Sequence, residues 1–169
     1  EALLSRGIGA RILSECCTRV LTSAIISFDD DCVVHQAFCS IVNTLSTRDE
    51  RSKKAMVGAG VHKWLYVVIK GASPITGPLA CNAVFNLINR SADSTLAVGE
   101  SGIVRPTLLL LEKFPDDLKV QYEGLQLITA LCRDKTVFRT VEENKGEAIR
   151  TASTKMLTVV LKAMPAPSR

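Results

Sequence analysis

Ala80-Cys81-Asn82-Ala83-Val84-Phe85-Asn86-Leu87 is the stretch on which the fold of this chain turns. Its pattern is helical: residues 80, 84 and 87 share one face at the i, i+4, i+7 spacing, and two asparagines four apart share another. The spacing returns on both sides. Ala37, Ile41 and Asn43 precede Ala80, Val84 and Asn86 by 43 residues, and Gly124, Ile128 and Ala130 follow them by 44. A second marker keeps step, because Gly60-Val61, Gly102-Ile103 and Gly146-Glu147 lie 42 and 44 residues apart. Two independent features with one period point to stacked repeats.

Working outward, each unit divides into a short, a medium and a long helix. The first opens at the capping box Thr47-x-x-Glu50, runs to Ala59 and stops at Gly60. The second, Val61 to Lys70, is expected to close on Gly71 in the left-handed conformation. Within it Trp64 to Ile69 has the composition of a buried strand, but the repeat sets it opposite the leucine-rich Arg105 to Phe114, which favours helix. The third helices begin after Asp30-Asp31, at Pro78 behind Gly77, and after Asp116-Asp117. Their buried stripes should be Ala37, Ile41 and Leu45 in one copy and Ala80, Val84 and Leu87 in the next. The stretches Ile12 to Phe28 and Lys155 to Met164 fit the period poorly and read as irregular end units, with Pro165 and Pro167 in a frayed tail.

Composition agrees with an all-α chain. At 47% hydrophobic and 22% charged residues the chain can bury a core, and its 5% aromatic content suits close helix packing better than a β-sandwich. The net charge of +4 is spread along the sequence with no block of five basic residues, which argues against nucleic acid and anionic membranes. Runs such as Trp64 to Ile69 and Thr107 to Leu111 fall well short of the roughly 18 apolar residues of a membrane span. No signal-peptide pattern stands near Glu1, and the missing initiator Met suggests an excised piece of a longer protein. Cys16, Cys17, Cys32, Cys39, Cys81 and Cys132 lie in apolar helical stretches, as reduced thiols of a cytosolic or nuclear protein would.

Chemistry-bearing motifs are scarce. There is no Gly-rich phosphate loop, no G-x-S-x-G, no His-Glu-x-x-His, and only His35 and His62. Asp29-Asp30-Asp31 reads as a helix cap at the positive end of the macrodipole rather than a magnesium site. Cys32, His35 and Cys39 share a helix face, but zinc needs a fourth ligand, so no metal or other cofactor is expected. Cys16 and Cys17 point to different faces and make a poor redox pair. The chain is expected not to be an enzyme.

The pattern Ala-x-x-x-Leu-x-Asn-Leu behind a Gly-apolar turn resembles armadillo repeats, with Ala80 to Leu87 the best match, Ala37 to Thr44 a weaker one, and Gly124 and Ala130 departing from it in the third copy. The resemblance implies a right-handed superhelical solenoid of three-helix repeats. Complete units would span about 48–90 and 91–133, with partial or degenerate ones at 1–47 and 134–169. HEAT repeats share the period but have two helices per unit, and the Gly break between first and second helices favours armadillo. In the family the third helices line a concave groove, which here would present His35, Cys39, Asn43 and Thr47, then Pro78, Asn82, Asn86 and Arg90, then Tyr122, Gln126 and Ala130 with Arg133 nearby. Amides repeating once per unit would bond the backbone of an extended peptide; alternatively, Asn43 and Asn86 hold neighbouring helices together.

The implied function is a protein-binding scaffold or adaptor holding a peptide of a partner protein. Importin alpha subunits place a Trp four residues before each groove Asn; here Cys39, Asn82 and Gln126 occupy those positions and the sole Trp, Trp64, lies on a second helix, so a nuclear import adaptor is disfavoured. His35, Arg90 and Arg133 suit a neutral or mildly acidic segment, as in catenin-like members. A self-associating solenoid with exposed ends and a regulatory segment of a larger enzyme are the other readings.

Overall fold

The structure, a computed structural model, describes residues 31–47 and 50–133 together with Ser23. Apart from Ser23, expectations about Ile12 to Phe28, the Cys16-Cys17 pair, Asp29, Asp30, Gly146 and everything from Asp134 onward lie outside the described residues. Among the described residues all regular structure is helical, with no strand. The elements are α1 (Cys32–Ser46), α2 (Glu50–Gly58), α3 (Val61–Lys70), α4 (Thr76–Ile88), α5 (Ala92–Glu100), α6 (Val104–Lys113) and α7 (Leu118–Leu131). Lengths of 9, 10 and 13 residues for α2 to α4 return as 9, 10 and 14 for α5 to α7.

Local chemistry places most of the ends. The Asp31 carboxylate accepts from Val33 N at 2.8 Å and Val34 N at 3.2 Å, and Asp117 accepts from Lys119 N and Val120 N at 3.0 Å each, so α1 and α7 start behind side-chain caps. Gly60 and Gly102 both adopt φ +80°, a backbone that L side chains resist, and each turns the chain sharply from a first helix into a second.

Three termini differ from expectation. Gly71 is not left-handed, with φ −89°; α3 ends through Gly71 N donating to Val67 O at 3.1 Å, which needs no glycine. The capping box does not form, because Thr47 completes α1 instead: its N–H donates to Asn43 O and its hydroxyl to Thr44 O, while Glu50 pairs with Lys53 at 3.8 Å. Helix α4 starts two residues before Pro78, capped reciprocally by Ser73 Oγ, which accepts from Ile75 N and Thr76 N, and by Thr76 Oγ1, which accepts from Ser73 N. Pro78 thereby sits in the first turn, where its missing N–H leaves no bond unmade.

Like packs on like. Helix α1 lies against α4 and α4 against α7, α3 against α6, and α2 against α5. The middle helix α4 is covered on both sides, with Ala80, Cys81, Ala83, Val84 and Leu87 all fully buried, as its stripe requires. In α1 the stripe is displaced: Ala37 and Ile41 are exposed, and Phe38, Cys39, Val42 and Ser46 are buried. The counterparts of Ala37 and Ile41 in α7, Gly124 and Ile128, are buried, Gly124 directly against Leu111 of α6. Among the described residues no helix takes that place beside α1. Lys53 Nζ on α2 donates to Asn89 O at the C-cap of α4, and an exposed Lys54–Asp93 pair at 2.9 Å joins α2 to α5 but contributes little.

His62, at the start of α3, is 7% exposed, and its Nδ1 has no partner. Burial, followed by the charge of Lys63, holds its imidazole below the ordinary value of 6.5, against a raising hydrogen bond to the Val57 backbone. The folded state therefore prefers neutral His62, and the unfolded chain takes up the proton first. Its contribution to stability should be fully present above pH 6.5 and be lost as pH falls from there through the depressed folded value. Denaturant titrations at about pH 7.5 and about pH 5.5 should show a larger acid loss for the wild type than for His62→Gln. Equal losses would contradict the assignment.

Candidate functional site

The long helices α1, α4 and α7 lie side by side, and a continuous row of polar side chains crosses all three. Asn86 Nδ2 donates to Asn43 Oδ1 on α1 at 2.9 Å and to Asn82 Oδ1, one turn away on α4, at 3.0 Å. Asn82 Nδ2 donates to Glu123 Oε2 on α7 at 2.9 Å. All four residues are half-buried on helices whose adjoining faces form the core. The caps at Asp31, Ser73 and Asp117 set where each helix begins, and the near-equal lengths that follow bring the amides level.

Asn43, Asn82 and Asn86 are thus brought together, and Glu123 joins them, whereas helical spacing puts its neighbour Tyr122 on the line instead. Its signal was a carboxylate on a largely apolar helix, but its partner is 41 residues away. Tyr122 is 56% exposed, Gln126 is half-buried and Ala130 is buried. Arg90 and Arg133 are exposed just beyond the ends of α4 and α7, and Arg90 holds φ +64°, an uncommon backbone for a side chain of its kind. His35 is half-buried, with its Nε2 enclosed and without a partner among the described residues. Thr47 is exposed and Pro78 buried.

Cys39 does not reach the surface. It is fully buried, and burial pushes its thiol up to about 12. Cys81 is buried as completely, with its thiol raised by desolvation first and then by Glu123 and Cys39. Both remain protonated and weakly nucleophilic, so they act as core side chains. Cys32 Sγ accepts from Gln36 Nε2 at 3.1 Å, and among the described residues no three His, Cys, Asp or Glu side chains are grouped as metal ligands. No described helix is long and apolar enough to cross a membrane.

Comparison with protein-family models, with curated proteins and with solved structures gives no match. What the site can do therefore rests on its own chemistry. Among the described residues Asn86 Oδ1 accepts no hydrogen bond, Asn43 Nδ2 donates none, and Asn82 Nδ2 has a second hydrogen to give. Half-exposed amides with one hand on each other and one hand free can bond the backbone of a chain laid across them.

Proposed function

We propose that the chain is part of a right-handed armadillo-type solenoid acting without catalysis as a scaffold that holds an extended peptide of a partner protein. The observation that carries this reading is the row Asn43–Asn86–Asn82–Glu123, which crosses three packed counterpart helices and keeps open donors and acceptors. The like-on-like packing of short, medium and long helices supports the repeat architecture. Exposed Arg90 and Arg133, just beyond the C-terminal ends of α4 and α7, would add salt-sensitive attraction for acidic residues of the ligand. The free thiols of Cys32, Cys39 and Cys81 suit a cytosolic or nuclear setting.

The amide-to-amide bonds also pin the helices, so an asparagine replacement acts on folding as well as on binding. Asn43→Ala separates the two. It removes one end of the row and leaves the Asn86–Asn82–Glu123 bonds in place, so it should cost about 1 kcal/mol of stability. A pool of random twelve-residue peptides displayed on phage should yield binders to the wild type, and their affinity should fall about tenfold on folded Asn43→Ala. A wild type that retains no peptide, or a variant that binds the pool unchanged, would defeat the reading.

A further inference from the structure

The hydrogen bonds of the row have a direction, and a single residue imposes it. An ionised carboxylate only accepts, so Asn82 must turn its Nδ2 toward Glu123 Oε2. That places Asn82 Oδ1 toward Asn86, which must answer with Nδ2, and the second hydrogen of the same nitrogen goes to Asn43 Oδ1. The Asn86 donors are then both spent and, among the described residues, its Oδ1 is left open, while Asn43, bonded only through oxygen, keeps both of its N–H groups. The row therefore ends in a carboxylate with one oxygen open at α7 and in a pair of donors at α1.

Glu123 has no cationic partner among the described residues, although it is half-buried and near enough for its charge to raise the buried Cys81 thiol. A partly desolvated carboxylate bonded to one amide is an incomplete ion pair. We propose that Glu123 fixes the orientation and charge order of the bound peptide, with a basic side chain against Glu123 and hydrogen-bond acceptors against Asn43. This rests on the peptide-scaffold reading and deepens it. Arg90 and Arg133, exposed beyond the C-terminal ends of α4 and α7, favour acidic residues elsewhere in the ligand, so the preferred sequence is of mixed charge with one fixed basic position.

The test uses the same phage-displayed pool, sequenced after panning on the wild type, on Glu123→Gln, and on Glu112→Gln as a control at an exposed carboxylate of α6. A glutamine at 123 can still accept from Asn82, so the fold is kept while the charge is removed; melting curves check this. Peptides bound to the wild type and to Glu112→Gln should show Lys or Arg enriched at one position by about tenfold, and Glu123→Gln should abolish that enrichment. In parallel, one selected peptide should lose about tenfold in affinity for the wild type when its basic residue becomes Gln, an arm that needs no change in the protein. A wild-type pool without a preferred basic position, or the same preference on Glu123→Gln, would overturn the proposal. If peptides bind the wild type and are lost on Asn43→Ala while Glu123→Gln leaves their charge pattern intact, this inference fails and the scaffold reading stands. If nothing binds the wild type, both fall.

Discussion

Replacing Gln121 by Ala is expected to lower folding stability by about 3 kcal/mol, the sum of two lost bonds, a stranded Leu111 carbonyl and an unfilled void. Gln121 is 1% exposed on α7, and its Nε2 donates to Leu111 O at 2.8 Å and to Phe114 O at 3.0 Å. Leu111 lies in the last turn of α6 and Phe114 is its C-cap, so this amide satisfies carbonyls that the end of α6 leaves without helical donors and ties α6 to α7 across the intervening turn. The Oε1 of Gln121 is enclosed with no partner, a penalty that a similarly long apolar side chain avoids. Gln121→Met should therefore recover more than half of the loss caused by Ala. Denaturant unfolding at constant m checks both values, and a loss under about 1 kcal/mol for Gln121→Ala would contradict the role assigned to it.

The second large effect concerns Gly124, the residue that departs from Ala in the third copy of the pattern. A Cβ built there would lie 2.6 Å from Leu111 Cδ2 and 3.1 Å from its Cγ, and Leu111 is 2% exposed and hemmed in by the core. Helix α7 approaches α6 too closely for a side chain. Two terms oppose each other on Gly124→Ala: helix propensity gains about 1 kcal/mol, and overpacking costs about 1 to 3. Gly124→Val removes most of the propensity gain and adds bulk, so it should cost about 3 kcal/mol. If the contact with Leu111 is the cause, the penalty for Gly124→Val should shrink by at least 1 kcal/mol, roughly, in a Leu111→Ala background. Additive losses in the double variant would show that the cause lies elsewhere.

Much of this fold was legible because its signals are local. The glycines that require φ +80°, Gly60 and Gly102, mark their breaks by the chemistry of one residue, and Asp31 and Asp117 cap the helices that follow them within three positions. The limits of α3 follow from a glycine before Val61 and one after Lys70, even though Gly71 is not left-handed. What was not legible depended on neighbours distant in sequence. Whether Ala37 or Phe38 is buried depends on which side of α1 another helix occupies, and periodicity cannot distinguish the two edges of an apolar face. Cys39 sits at the position of Asn82 in the repeat, yet it turns into the core, where a thiol is at home and an amide is not. Glu123 entered the site only through Asn82, a contact that no spacing within α7 announces.

The central claim, that the amide row lies in a surface holding an extended peptide, is tested most directly by placing a photoreactive p-benzoylphenylalanine at single positions and irradiating the complex with a phage-selected peptide. Tyr122, next to Glu123 and 56% exposed, should yield a covalent adduct that mass spectrometry maps to the peptide. Leu109, 54% exposed on α6, should yield none. Adducts at Leu109 with none at Tyr122, or equal labelling of both, would contradict the account.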